Sequence, residues 1–275
     1  MAIINRGKSN EYVLGSGKVE FNLFPKGDAA KAMGYRYLGS TSEFNLTKES
    51  ETLEHKNSES GLTFTDAEIV TSSTMSGTLT VDNIIAENLA LFFAGDIDNV
   101  VQAQKTGEKF IVKIHRGLGY VLGATDINPN GVFKATVTKV EVFASESDAR
   151  SGTGGTVVPD AQYNADVDRA FIAFDKDAAG IAADGQWAVI TYDLAATKRE
   201  VVIAKSQSIT GALMFVADNA TGANRVYFMP KVTLTPNGDF SLKSSDSWQT
   251  IGFNVKAVKK DDVAALLYLN SQPLV

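Results

Sequence analysis

The chain has 275 residues, 44% hydrophobic and 21% charged, enough to bury a sizeable core in one large domain or two smaller ones. Its net charge of −6 argues against a broad nucleic-acid-binding surface, which needs a basic excess. The lack of cysteine excludes disulfides and thiolate sites. No signal-peptide pattern opens the chain, and the apolar run 89–94 is too short to cross a bilayer. These features predict a soluble protein made inside a cell.

The first predicted elements are β-strands on either side of a polar segment. Residues 35–39 and 44–46 alternate in polarity, as does the run 73–81, which indicates half-buried strands. Residues 47–61 lack such a pattern and predict a long extended loop. A loop of this length is uncommon in a compact domain unless it is functional, so we interpret it as a segment that reaches a partner. Its charged and titratable side chains are Lys48, Glu49, Glu51, Glu54, His55, Lys56 and Glu59.

One helix is predicted over residues 83–94. Asp82 is a suitable N-cap and Gly95 a suitable C′ residue. Ile85, Leu89 and Phe92 recur at helical spacing and predict the face that packs on the core.

Strand patterns dominate the rest of the chain. The run 132–143 changes phase near Thr138, which predicts a β-bulge there. The polar, glycine-rich stretch 145–157 predicts a loop or linker, and residues 261–269 favour a second short helix over a strand. We therefore predict one mainly β domain over 1–275, with an inserted or second β subdomain at about 158–216. The later strands are predicted at 110–114, 171–174, 187–192, 200–204, 212–216, 225–234 and 249–258.

Few residue patterns indicate chemistry. The two histidines, His55 and His115, are expected to be solvated or locally hydrogen-bonded, and no nucleophile, metalloprotease or phosphate-loop motif occurs. Asp160, Asp166 and Asp168 could gather a cation, but a solvated strand edge is the stronger interpretation. We therefore expect no catalytic residue, no cofactor and no metal site.

The order of features resembles the major tail tube proteins of long-tailed bacteriophages. The resemblance is carried by the strand at 37–41, the charged loop through 53–56, the strand at 72–81 and the helix end at 88–95. The segment 163–168, followed by 171–174, Gly185 and 188–192, is similar to the family's Asp-Tyr-x-Val-Asp…Gly segment and its following strand. Asn164, Ala165 and Ala170 depart from that pattern. Residues 225–234 resemble the strand near the end of such proteins.

The resemblance implies a β-sandwich or partly closed β-barrel with one flanking α-helix and a long extended loop. It implies a structural virion protein of the phage tail, made in the host cytoplasm, that forms hexameric rings stacked into a tube for DNA delivery. Its partners would be further copies of itself and other tail proteins such as the tape measure, tail terminator and distal tail proteins. DNA would pass without specific binding through a net negative lumen, and loop 47–61 would bridge one ring to the next.

Two other functions remain open from the sequence. A β-sandwich carbohydrate-binding or adhesin module could use Tyr120, Trp187 and Trp248 to stack on sugars, if they are exposed. An enzyme built on aspartate pairs is the least favoured interpretation. Rings or tubes in electron micrographs would support the tube protein, whereas glycan-binding monomers would support the adhesin.

Overall fold

A computed structural model describes residues 12–57, 61 and 63–271. The fold is mainly β, as predicted. Over these residues no sheet closes into a barrel, and two α-helices are present: α1 (Ala86–Phe92), within the predicted range 83–94, and α2 (Glu146–Ser151), where no helix was predicted. The strands are β1 (Gly17–Leu23), β2 (Arg36–Tyr37), β3 (Thr41–Asn57), β4 (Phe64–Val81), β5 (Asp96–Gln102), β6 (Lys105–Ile114), β7 (Gly119–Val121), β8 (Ala135–Phe143), β9 (Thr156–Val157), β10 (Tyr163–Asp166), β11 (Phe171–Phe174), β12 (Gln186–Leu194), β13 (Thr197–Ile203), β14 (Ile209–Ala217), β15 (Arg225–Pro236), β16 (Ile251–Ala257) and β17 (Tyr268–Ser271).

The chain divides into two compact units. Unit 1 holds the described residues up to Asp98 and from Val201 onwards, and unit 2 spans 99–200. An inserted β subdomain was predicted at about 158–216. Unit 2, at 99–200, begins and ends earlier in the chain than that range. Strands β5 and β13, which connect the units, pair with each other in a two-stranded sheet.

Unit 1 is built on one antiparallel sheet. Its strand order is β2-β1-β14-β15-β16-β4-β3, and β17 pairs with β15 beside this path. Apolar side chains of the sheet, among them Leu79, Leu213 and Phe253, form a buried cluster with Leu91 and Phe92 of α1. The opposite side of β16 carries Asn254 and Lys256, because its buried and exposed residues alternate. One face of the sheet is therefore covered and the other is polar.

Unit 2 is a β-sandwich. A four-stranded sheet, β6-β12-β8-β9, and a three-stranded sheet, β10-β11-β7, contribute to one buried cluster that includes Val140, Ile172 and Ile190. The register of β8 against β12 skips one residue at Thr138, which confirms the predicted bulge. Helix α2 packs on the outer face of the larger sheet through Ala149.

Two other predictions about local structure were wrong. Residues 145–157, predicted as a loop, contain α2, whose N-terminus is capped by the Ser145 side chain accepting a hydrogen bond from the Asp148 N–H. Residues 261–269 contain no α-helix; their end belongs to β17.

Candidate functional site

The most unusual feature of unit 1 is that β3 and β4 continue far beyond the core. Strand β16 pairs with β4 only as far as Ser76, so residues 64–75 have β3 as their one strand partner in the described chain. We call residues 47–57 and 64–75 the arm. At about 3.3 Å per residue, the eleven residues of its first strand extend roughly 35 Å. The predicted loop 47–61 is thus corrected: residues 47–57 are strand.

The arm exposes apolar side chains on both of its strands. Leu53 lies directly opposite Ile69, and each is 61% exposed. Phe64 and Val70 are exposed as well. A two-stranded hairpin is marginally stable in water by itself, and these side chains have no core to cover them. The arm therefore carries apolar surface that no other described residue covers.

The arm is acidic. Its five carboxylates, in Glu49, Glu51, Glu54, Asp66 and Glu68, outnumber Lys48 and Lys56, which gives a net charge of −3 with His55 neutral. Glu54 lies directly opposite Glu68, a like-charge pair that destabilises an isolated hairpin. A cationic partner would relieve this repulsion.

Local hydrogen bonds fix several of the predicted contact residues. His55 Nδ1 and Asp66 Oδ1 are 2.6 Å apart, and Thr65 donates to Glu54 at 3.1 Å. Ser72 donates to the Glu51 carboxylate at 3.0 Å. Two β-bulges, at the register shifts after Glu51 and after His55, increase the local twist.

The seven residues predicted to form an inter-ring contact are not gathered on one surface in the described chain. Six of them lie along β3, where alternate side chains point to opposite faces, so they do not form one patch. Glu59 lies outside the described residues.

Residues 12–265 match the sequence model of a family described as protein of unknown function UCP028589. The chain belongs to this family. No curated protein matches the chain. The comparisons therefore assign a family without assigning an activity.

The predicted core-facing helix is only partly correct. Phe92 is buried in the core cluster and Leu89 packs against its edge. Ile85 is 36% exposed and precedes the helix as its N-cap, so its predicted core position is wrong, and Asp82 is not the cap. At the other end Ala94, not Gly95, adopts the left-handed conformation, with φ 46°. The Gly95 N–H then bonds the Ala90 carbonyl.

Sequence reasoning missed Asn88, which is fully buried within α1. Its side-chain amide donates to the carbonyls of Leu38, at 2.7 Å, and Asn83, at 2.8 Å. Its oxygen accepts from Arg36 at 2.8 Å. Burial lowers the pKa of Arg36. The available signal was a polar side chain inside an otherwise apolar helix, which needs hydrogen-bond partners when buried.

The structure gives little support to other sites. Over the described ranges no group of three or more histidine and carboxylate side chains could hold a metal, so Asp160, Asp166 and Asp168 are not gathered into one. No helix in the described part of the chain is long and apolar enough to span a membrane. An open depression of about 610 Å³ in unit 1 is lined by Asp82, Ile84, Trp248 and neighbouring residues.

Proposed function

We propose that this protein is a structural subunit that polymerises through its arm into stacked rings, as the tube of a phage tail does. The observation that carries the proposal is the exposed, partly apolar arm. Leu53, Phe64, Ile69 and Val70 are more than half exposed. At about 25 cal/mol per Å², covering such side chains favours association.

The open edge of β3 supports the same function. Among the described strands only β4 pairs with β3, so the backbone groups on the other side of residues 41–56 face outward. A long unpaired edge is a template for pairing with another chain. When the joined surfaces differ, the contact is head-to-tail and closes into a ring if the rotation permits.

The role as a DNA conduit rests on the resemblance and on charge. A net charge of −6 suits a lumen through which DNA slides without binding. The virion location, the hexameric ring and the other tail proteins as partners belong to the same proposal.

The test is to shorten the arm. Lys48 and Met75 are directly opposite in register, so residues 49–74 can be replaced by an Asn-Gly turn that closes the hairpin. Met75 is kept because it packs against the core. Negative-stain microscopy and light scattering should show rings or tubes for the wild type and monomers for the shortened protein. Far-UV circular dichroism should show that the shortened protein is still a folded β protein.

A matched pair of double variants distinguishes a specific role of the arm in assembly from a general effect of exposed apolar side chains. Leu53→Ser/Ile69→Ser should prevent assembly. Leu118→Ser/Ile127→Ser, which removes two exposed apolar side chains of unit 2, should not. A wild-type protein that stays monomeric at high concentration would refute the proposal, as would normal tubes from the shortened arm.

One observation favours the carbohydrate-binding alternative. Trp248 is 94% exposed and lines the open depression together with Gln249, an aromatic-polar pairing suited to a sugar. Tyr120 and Trp187 are half-buried and pack within unit 2, so they are not exposed platforms. Titrating oligosaccharides while recording tryptophan fluorescence, with Trp248→Ala as control, tests this function.

A further inference from the structure

The opposite end of the unit 1 sheet carries a second exposed surface. Strand β2 is the terminal strand there, and the segment 26–37 that leads into and includes it is mostly exposed. We call residues 26–37 the acceptor edge. Its exposed large apolar side chains are Met33, at 77%, together with Tyr35 and Tyr37. Tyr35 and Tyr37 flank Arg36, as side chains on one side of an extended chain do, whereas Gly34, with φ 103°, interrupts the extended backbone after Met33.

The acceptor edge is basic where the arm is acidic. Lys26 and Lys31 oppose Asp28, which gives a net charge of +1 against −3 for the arm, because the Arg36 guanidinium is turned onto the buried Asn88. The Lys31 ammonium lies 3.4 Å from Asp28, but both side chains remain largely exposed, and such surface pairs are weak. Complementary potentials of this kind steer and orient association.

The order of side chains also matches. On the arm, Glu49, Glu51 and Leu53 share one face of β3, and Ile69 lies opposite Leu53 on β4. That face is acidic at one end and apolar at the other. The acceptor edge changes in the same way, from the lysines to Met33 and the two tyrosines.

A single copy cannot bring the two surfaces together. They lie at the two ends of the strand order, and six successive antiparallel pairings give β2 and β3 the same direction. Because only three residues separate the end of β2 from the start of β3, the arm extends away from the acceptor edge of its own copy. Since the two surfaces differ, contact between copies is head-to-tail and can repeat from copy to copy.

We propose that the arm of one copy docks on the acceptor edge of a second copy of this chain, acidic end on the lysines and apolar end on Met33, Tyr35 and Tyr37. This inference rests on the proposed function, because it names the partner surface of the same arm.

Cross-linking tests the docking directly, because the chain contains no cysteine. Leu53→Cys and Met33→Cys are introduced in the same chain and treated with a short bis-maleimide. The docked arrangement predicts a ladder of covalent oligomers, with at least about tenfold more dimer than the control, because docking raises the local thiol concentration. The control is Leu53→Cys with Ile127→Cys, a 97% exposed position of unit 2.

Each outcome decides between the docking and the proposed function. A ladder no stronger than the control overturns the docking, even if tubes form. Dimers from Leu53→Cys alone would indicate arm-to-arm packing and also overturn it. A ladder from a preparation without rings or tubes supports the docking and refutes the tube function.

A charge exchange provides the second test. Glu49→Lys/Glu51→Lys changes the arm from −3 to +1, and Lys26→Glu/Lys31→Glu changes the acceptor edge from +1 to −3. Each pair alone should abolish the cross-linked ladder, and the four changes together in one chain should restore it. Lys109→Glu/Lys113→Glu, on exposed positions of β6, should have no effect. Failure of the combined variant to recover the ladder would overturn the charge pairing.

Discussion

The two units differ in how the apolar faces of their β-sheets are buried. In unit 2 two sheets face each other across one core, and α2 covers the outer side of the larger sheet. In unit 1 one sheet is covered by a short helix and loops on a single face, while its arm and acceptor edge stay open. Of the exposed large apolar side chains in the described residues, nineteen belong to unit 1 and six to unit 2. The exposed apolar side chains of the described residues are therefore concentrated in unit 1.

The largest expected effect comes from removing unit 2, which tests whether unit 1 alone carries the assembly surfaces. Residues 103–196 are replaced by an Asn-Gly turn that joins the paired strands β5 and β13. We expect the remaining chain to assemble like the wild type, and the isolated segment 99–200 to sediment as a folded monomer. Analytical ultracentrifugation measures both. Self-association of segment 99–200, or a soluble monomer from the shortened chain, would contradict the division of roles.

Core truncations should act on one unit at a time. Ile190→Ala in unit 2 and Leu213→Ala in unit 1 each remove a fully buried side chain and should cost about 2–5 kcal/mol. Because the units have separate cores, each variant should shift only its own urea transition. Fluorescence of the half-buried Trp187 reports unit 2, and far-UV circular dichroism reports both. One shared transition that moves with either substitution would show that the units unfold together.

The helix of unit 1 depends on a buried polar anchor, unlike the capped helix of unit 2. Asn88→Ala leaves two carbonyls and the Arg36 guanidinium without their partner and should cost about 1–3 kcal/mol. Glu87→Ala, at an exposed position of the same helix, should change stability by less than about 0.5 kcal/mol. Equal effects in chemical denaturation would mean that the anchor is not needed.

The smallest expected effect is a pH dependence confined to unit 2. Burial, with a hydrogen bond to Asp160, raises the pKa of Tyr163 to about 12. The folded state therefore holds this proton more tightly than the unfolded chain, whose tyrosine pKa is about 10. The stability that protonated Tyr163 gives the folded state is complete below a pH of about 10 and is lost as the pH rises through about 12. When the pH is raised from about 9 to about 11, the urea midpoint of unit 2 should therefore fall further in the wild type than in Tyr163→Phe. If the urea midpoints of the wild type and of Tyr163→Phe fell by the same amount, Tyr163 would not be the cause of the pH dependence.

Much of the fold could be predicted wherever one side of a strand or helix is buried. The alternation in 73–81 and 249–258 identified strands of the unit 1 sheet, and the phase change at Thr138 identified a bulge. Phe92 was found on the core side of α1 because helical spacing repeats the buried positions. The Ser145-x-x-Asp148 spacing that caps α2 is the sequence signal for this helix, which the polar composition of 145–157 obscured.

The arm could not be recognised as a strand from its pattern. Both of its faces are exposed, so polar and apolar residues do not alternate, and periodicity carries no signal. Its charged residues were identified, but their division between two faces depends on the strand conformation. Its apolar partners on β4 became visible only through the pairing of Leu53 with Ile69.

The sequence by itself determined that this protein is mainly β, acidic and free of cysteine, with a helix that packs through Phe92. Only the tertiary structure decided that unit 2 spans 99–200 and that the arm and the acceptor edge end the same sheet. The physical reason is that strand order comes from pairing between distant segments, as when β1 joins β14. Such long-range pairing leaves no periodic trace in either segment, whereas burial of one face does.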